Sequence, residues 1–169
     1  MDGYLTFRLG NQVYGLPLGP IQQIIPMLTI TPLPEVADQV AGAINVHGQA
    51  VPVIDMRRHI GLAETPFLLY TPIILAHIGG SLVGLVVDEV LDVLDLPARD
   101  LLPAGDLLPA ELGQSPVLRA LAQVAGRLAL FLEPEELFRP EERQALALAT
   151  ELLPGLEMVG RRPAGEAVQ

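Results

Sequence analysis

A mainly β fold made of two related lobes is predicted by two observations: a pair of hairpin patterns and a repeat that connects them. Residues 4–18 and residues 73–87 are each rich in strand-forming residues and divided by a glycine-containing turn, as β-hairpins are. These segments match each other at an offset of 69 residues, and residues 48–55 match residues 126–133 at an offset of 78. Because both matches follow the same order, we expect one β arrangement to occur twice.

The first hairpin shows clear alternation of apolar and polar side chains. Residues 4–9 alternate between two faces, residues 10–12 form the predicted turn, and residues 13–18 return. Pro17 has no amide hydrogen to donate, which indicates an edge or bulged position in the second strand. Gly15 is predicted to mark a bulge or a tight bend.

The second hairpin repeats this design with more apolar strands. Residues 73–78 form its first predicted strand, Gly79-Gly80 its turn and residues 82–87 its second strand. Gly84 corresponds to Gly15 at the offset of 69 residues. We therefore predict the same bulge or tight bend at Gly84.

The connecting segments are rich in proline and glycine. Residues 31–34 lead into a predicted short helix over 35–41, and residues 96–113 are predicted to form a long loop. Residues 115–126 have two interpretations: the local pattern is that of a capped helix ending at a glycine, whereas the repeat requires a strand. We favour a strand for at least residues 118–122.

The C-terminal part is predicted to be helical. Residues 135–138 and 140–153 carry acidic residues early and an apolar stripe at helical spacing, and a Pro-Gly pair ends the pattern. Residues 154–169 are predicted to be a flexible tail. We expect residues 1–153 to form a single domain of two interleaved β lobes plus the C-terminal helix.

Composition removes several classes of chemistry. Cysteine is absent and all ten basic residues are arginine, which excludes disulfides, thiolate catalysis, cysteine-ligated metals and lysine nucleophiles. A net charge of −10 with few aromatic residues disfavours nucleic acid as a partner. We expect no cofactor.

One uncharged segment, residues 67–87, is long enough to span a bilayer as a helix. Its proline, glycines and β-branched residues instead fit hairpin punctuation. The N-terminus lacks the basic and apolar regions of a signal peptide. We therefore expect a soluble, cytoplasmic protein without direct membrane insertion.

A longer motif occupies residues 42–57, which read Gly-Ala-Ile-Asn-Val-His-Gly-Gln-Ala-Val-Pro-Val-Ile-Asp-Met-Arg. This stretch resembles the central motif of the CheW family, Gly-x-x-Asn-x-Arg-Gly-x-x-x-Pro-x-x-Asp-Leu-Arg. Residues 9–18 and 83–90 also resemble that family and lie in the expected order. The resemblance covers about residues 3–153.

The resemblance implies a fold and a function. It implies two SH3-like, five-stranded β-barrel lobes packed around a shared apolar core, with a C-terminal α-helix. It also implies a non-catalytic adaptor that couples the cytoplasmic tips of chemoreceptors to the regulatory domain of a CheA-type histidine kinase, recruited to membrane-associated receptor arrays. Flagellar taxis, pilus motility or another process are alternative outputs.

The resemblance also implies which residues contact these partners. One lobe's end would dock on the kinase, and a groove between the lobes would take a receptor helix. The partner-binding residues carried over by motif position are Ile21, Gln23, Ile24, Asn45, His47, Gln49, Ala50 and Ile73. For the set Ile21, Ile24 and Ile25, core packing and an exposed patch are both open interpretations.

Two positions depart from the family pattern. The arginine before the second glycine of the motif is His47 here, and an acidic position after the first hairpin is Gln23. Histidine is shorter than arginine and titrates near neutrality. We hypothesise that the adaptor serves a divergent receptor and kinase.

An enzyme is the alternative from another class. His47, Asp55 and His59 could form a two-histidine, one-carboxylate metal site of a small hydrolase, but Pro52-Val53-Ile54 reads as strand, and surface histidines with a turn carboxylate are the simpler interpretation. We therefore predict no metal and no catalytic residue.

Two further sets of residues have simple structural interpretations. Gly42, Gly48 and Gly84 lack dinucleotide-binding spacing and are predicted to serve backbone geometry. The carboxylates of Asp88, Asp92 and Asp95 lack the spacing of a calcium-binding loop and are predicted to form a solvated acidic face.

Overall fold

A computed structural model describes residues 2–107, 115–142 and 144. Its strands are β1 (Asp2–Leu9), β2 (Gln12–Pro17), β3 (Ile21–Ile25), β4 (Val40–Val46), β5 (Gln49–Asp55), β6 (Ile73–Ile78), β7 (Ser81–Val86), β8 (Glu89–Leu96), β9 (Leu102–Pro103), β10 (Leu118–Val124) and β11 (Arg127–Leu132). Short helices are α1 (Met56–His59), α2 (Ala104–Leu107) and the 3-10 turns Ala98–Asp100 and Pro134–Glu136.

The strands form two sheets, each of which defines a lobe. Lobe 1 is the six-stranded sheet β8-β1-β2-β11-β10-β9, and lobe 2 is the five-stranded sheet β3-β6-β7-β5-β4. The lobes exchange strands: β3 follows the hairpin of lobe 1 but pairs with β6, and β8 follows the hairpin of lobe 2 but pairs with β1. The predicted mainly β, two-lobed fold is confirmed, and lobe 1 has a sixth, two-residue strand, β9.

The repeat seen in the sequence corresponds to equivalent strand pairings. In lobe 2, β5 runs parallel to β7 and pairs Val53 with Gly84. In lobe 1, β11 runs parallel to β2 and pairs Phe131 with Gly15. These residue pairs are related by the two offsets, so both lobes use the same pairing.

The two glycines do not mark bulges, because neither hairpin has a register shift at Gly15 or Gly84. A Cβ atom added at Gly15 would lie 2.5 Å from the Phe131 ring, and one at Gly84 would lie 2.9 Å from Ile73 Cγ2. The physical reason for glycine is therefore close packing of a core side chain over a strand.

The predicted helix over residues 35–41 is wrong. Residues 34–39 form turns and irregular backbone, and Glu35 has a left-handed φ of 57°. Val40 instead begins β4 and pairs with Ile54 of β5. Pairing within the sheet thus overrides the local helical signal.

The loop predicted over residues 96–113 contains short elements in its described part. Residues Leu102–Pro103 form β9, which pairs with Ala120 and Leu121 of β10 at the edge of lobe 1. Residues 108–113 lie outside the described residues.

The strand favoured over residues 118–122 is confirmed as β10. The helix predicted over 135–138 is found only as the 3-10 turn Pro134–Glu136. Residues 140–142 are helical, whereas most of the predicted helix over 140–153 and the predicted tail over 154–169 lie outside the described residues.

The largest buried cluster joins the two lobes. It contains Leu5, Phe7 and Leu16 of lobe 1 and Ile74 and Leu85 of lobe 2, among other residues. Two smaller clusters lie within the individual lobes. Because the shared cluster is apolar and fully buried, we expect the lobes to behave as one unit.

The uncharged segment of residues 67–87 forms the β6–β7 hairpin and its preceding loop instead of a long helix. Within the described residues, the structure contains no helix whose length and hydropathy would allow it to cross a membrane.

Candidate partner-binding surfaces

The tip of the β4–β5 hairpin is a tight two-residue turn. His47 and Gly48 have φ values of 51° and 83°, as the favoured two-residue hairpin turn requires. The Asn45 Oδ1 atom accepts a hydrogen bond from the Gly48 amide at 2.8 Å. The side chains of Asn45, His47 and Gln49 are exposed, and Ala50 is half-buried. Local sequence thus builds a firmly shaped, solvent-facing tip.

His47 occupies a backbone conformation that most side chains avoid. Histidine is several-fold enriched among non-glycine residues with positive φ. The matching turn of lobe 1 is Ala125-Gly126, with φ values of 50° and 78°. The two lobes therefore share the turn geometry, but only lobe 2 presents an imidazole there.

Gly42 supports the same hairpin from within β4. Its φ is 146°, and a Cβ atom there would collide with the carbonyl oxygen of Thr31. The neighbouring Ala43 exchanges two backbone hydrogen bonds with Thr31, at 2.8 and 2.9 Å. The close approach of this segment to β4 therefore requires a glycine.

Strand β3 holds a second part of the predicted surface. Gln23 is exposed and the Ile24 side chain is 41% exposed, whereas Ile21 and Ile25 are half-buried against the apolar clusters. The isoleucines of β3 are thus divided between core packing and exposure.

Ile73 does not belong to an accessible surface. It is 0% exposed and packs in the apolar cluster of lobe 2. Its position opposite Ile25 on β3 explains the proximity that the motif position suggested. Its place in the core replaces the predicted partner contact.

The sheet order separates the remaining residues into two surfaces. Strands β3 and β4 form opposite ends of the order β3-β6-β7-β5-β4, with three strands between them. Asn45, His47, Gln49 and Ala50 lie together at the hairpin tip, which we call the tip surface. Gln23 and Ile24 form a separate β3 surface.

An ionic cluster at the lobe junction was not predicted. Asp88 Oδ2 accepts hydrogen bonds from the Gly10 amide at 2.8 Å and from Arg57 Nη1 at 2.5 Å, and it lies 3.7 Å from Arg8 Nη1. The Asp88 side chain is 16% exposed. The solvated acidic face predicted for this residue is therefore wrong, because a turn 78 positions away folds against it.

The other lobe contact follows the repeat. Gly79, the equivalent of Gly10, donates its amide hydrogen to the Glu135 carboxylate at 3.2 and 3.4 Å. Glu135 corresponds to Arg57 at the offset of 78 residues. Each lobe's turn is thus capped by a carboxylate, but the carboxylate on Gly79 is exposed.

Asp55 ends β5 and begins α1. Its Oδ1 accepts a hydrogen bond from the Arg57 amide at 3.0 Å, and the residue is 3% exposed. Burial raises the pKa of the Asp55 carboxyl, while hydrogen bonds from the Arg57 and Arg58 amides and the Arg58 charge oppose that rise. The buried carboxylate therefore caps local backbone.

The hypothetical metal site is contradicted by the geometry. His47 precedes β5 and Asp55 ends it, so eight residues of extended chain separate them by about 26 Å. His59 Nε2 instead lies 2.8 Å from the Leu137 carbonyl, and its ring packs on Phe138. The three side chains cannot share one ion.

Taken together, the fold and surfaces define a two-lobed β scaffold with a shared core and exposed docking edges. A family model described as the CheW-like domain matches residues 3–142. The chain belongs to the CheW family, whose members are non-catalytic adaptors that couple chemoreceptors to the kinase CheA in chemotaxis.

Two relatives and one solved structure illustrate the similarity. The chain is 29% identical to the chemotaxis protein CheW of Rhizobium meliloti, over 83% of this chain and 90% of the relative. It is 31% identical to the CheW of Klebsiella aerogenes, over 82% of each chain. The crystal structure of the scaffolding protein TtCheW from Thermoanaerobacter tengcongensis shares the fold, with a TM-score of 0.72, 23% identity and coverage of 83% of this chain and 94% of that chain.

Proposed function

We propose that this chain is a cytoplasmic adaptor that holds the regulatory domain of a CheA-type histidine kinase against the cytoplasmic tips of chemoreceptors. Its contacts with both partners recruit it to receptor arrays at the membrane. It supplies no chemistry; it transmits receptor state to the kinase through shared interfaces.

The tip surface carries this proposal. Its exposed side chains stand on a two-residue turn stabilised by the Asn45–Gly48 hydrogen bond. A preorganised surface loses little conformational entropy when a partner binds. The tip also lies inside the motif of residues 42–57 that resembles the family pattern. We assign the kinase contact to this surface, with His47 as a polar contact.

The β3 surface is the second proposed contact. Ile24 offers an exposed apolar side chain beside the uncharged Gln23. An apolar residue framed by polar neighbours is a common form of interface anchor. The shared core beneath both surfaces would keep their relative geometry constant during signalling.

Partner choice is proposed to differ from that of the common family pattern. A permanent arginine charge is replaced by His47 and an acidic position by Gln23, so two charged contacts are removed together. Charge pattern contributes strongly to partner discrimination. Expression in a heterologous strain that lacks its own adaptor should therefore fail to restore chemotaxis, and restored chemotaxis would refute the divergence.

Binding measurements test the adaptor role directly. We expect purified wild-type protein to bind the source organism's kinase regulatory domain and a receptor cytoplasmic fragment in calorimetry. His47→Ala should weaken kinase binding by about threefold to tenfold, as loss of one polar interface contact does. Ala125→Gly, which alters the matching turn of lobe 1, is the control.

The outcomes separate two levels of the proposal. A folded His47→Ala protein that binds both partners unchanged removes the role of His47. A folded wild-type protein that binds neither partner overturns the adaptor assignment itself.

A further inference from the structure

The loop between α1 and β6 ends in an exposed apolar turn. The Leu68 amide donates to Thr71 Oγ1 at 2.8 Å, and the Thr71 amide donates to the Leu68 carbonyl at 3.0 Å. Between them, Leu69 is 82% exposed and Tyr70 is 78% exposed, the highest values for large apolar residues in the described part of the chain. Adjacent apolar side chains held out into solvent mark an interaction surface more often than scattered ones do.

This loop is held in place from its other end. Arg57 Nε donates a hydrogen bond to the Ala63 carbonyl at 2.8 Å, while Arg57 Nη1 pairs with Asp88. The loop is therefore tied to the ionic cluster at the lobe junction, and its apolar turn has a defined position.

A cavity of about 320 Å³ lies beside the turn, between Arg8 of lobe 1 and residues of lobe 2. Phe67, Val86 and Val87 contribute an apolar wall, and Leu68 and Tyr70 lie on its rim. A concave apolar wall next to a protruding apolar turn offers complementary parts for one partner segment.

The polar groups that face this cavity are mainly unused donors. Asp88 is already occupied by Arg57 and the Gly10 amide, and Asp55 accepts from the Arg57 amide. Within the described residues, the Nη2 groups of Arg8 and Arg57 have no hydrogen-bond partner in the protein. A ligand at this site must therefore supply acceptors, and a carboxylate is the acceptor that a guanidinium prefers.

Position decides which partner can reach the cavity. The tip surface precedes β5, whereas Asp55 and Arg57 follow it, about 26 Å away along the strand. A kinase domain docked on the tip surface leaves the cavity open to a second partner. The receptor is that second partner in the proposed adaptor.

We infer that the Leu69–Tyr70 turn and the adjoining cavity form a receptor-docking site for an amphipathic helical segment with apolar side chains next to a carboxylate. This inference rests on the proposed function and deepens it. The apolar side chains contact Leu69, Tyr70 and the cavity wall, and the carboxylate pairs with Arg8 and Arg57.

A double variant, Leu69→Ser with Tyr70→Ser, tests the site, and Leu128→Ser is the matched control because Leu128 is 48% exposed on lobe 1. Binding to the purified receptor cytoplasmic fragment and to the kinase regulatory domain is measured by calorimetry, with thermal unfolding as the check of folding. We expect receptor affinity to fall at least about tenfold for the double variant, as for loss of an aromatic anchor. Kinase affinity and the control should not change.

The possible outcomes are distinct. Unchanged receptor affinity, or an equal loss of kinase affinity, overturns the docking site while leaving the adaptor role intact. Failure of the wild-type protein to bind either partner overturns the proposed function instead. Arg8→Gln adds a second readout: receptor affinity should fall and depend less on salt, because one ion pair is lost. An unchanged salt dependence contradicts the carboxylate.

Discussion

The Asp88 carboxylate accepts a hydrogen bond from the Gly10 amide while it pairs with Arg57, so one side chain joins a turn of lobe 1 to the helix of lobe 2. The contact sits at the crossover between β7 and β8, where the chain passes from one lobe to the other. It adds a directional contact to a junction that is otherwise held by apolar packing.

Asp88→Ala is expected to lower the free energy of unfolding by about 2 kcal/mol, because it leaves a half-buried Arg57 without its partner. Asp95→Ala is the control, since Asp95 is exposed and has no ion pair within the described residues. Urea denaturation of both variants measures the difference. Equal stability of the two variants would contradict a structural role for the junction.

Gly15→Ala is expected to destabilise the protein by about 1–3 kcal/mol, because the added Cβ atom meets the Phe131 ring at 2.5 Å. Gly19→Ala serves as the control, since no atom lies within 4 Å of a Cβ there. Thermal unfolding compares them, and combining Gly15→Ala with Phe131→Leu should recover part of the loss. A Gly15→Ala protein as stable as Gly19→Ala would refute the packing argument.

Asp55→Asn is expected to change the pH dependence of stability. Burial raises the Asp55 pKa above its ordinary 3.8, so the folded state holds the proton more tightly than the unfolded state. Stability from this group therefore falls as pH rises from 3.8 through the raised pKa. Asparagine keeps the cap on the Arg57 amide but cannot ionise.

Denaturation at several pH values between about 3.5 and 7 tests this sign. The variant should gain stability relative to wild type as pH rises through that window. A relative loss would mean that the Arg58 charge and the amide hydrogen bonds outweigh burial.

Ala125→Gly is expected to raise stability by about 1 kcal/mol, because alanine at a φ of 50° carries the cost of a left-handed conformation that glycine avoids. Ala50→Gly, within β5, should lower stability because glycine weakens a strand interior. Chemical denaturation measures both. Destabilisation by Ala125→Gly would show that the turn is not strained.

Much of the fold could be predicted because its signals are local. The hairpins at residues 4–18 and 73–87, the His47-Gly48 turn and the repeat all depend on residues within a few positions of one another. Where local signals conflicted, at residues 115–126, the repeat favoured a strand and β10 confirmed it. The helix predicted at residues 35–41 failed because β4 needed Val40 for pairing with β5.

The surfaces were predicted less well. Motif positions placed the tip residues together, yet they also included Ile73, which is buried. Burial depends on which strands cover a side chain, and β3 covers Ile73 only because the lobes exchange strands. The Leu69–Tyr70 turn had no sequence signal beyond an uncharged run that also contained the second hairpin.

The sequence by itself determined the two-lobed β fold, the hairpin turns and the family resemblance, since these depend on short-range periodicity and on a motif of fixed spacing. Only the tertiary structure decided that Gly15 lies under Phe131, that Asp88 joins the lobes, and that a cavity opens beside Tyr70. The physical reason is distance along the chain: these contacts join residues up to 116 positions apart, and strand exchange between the lobes brings them together.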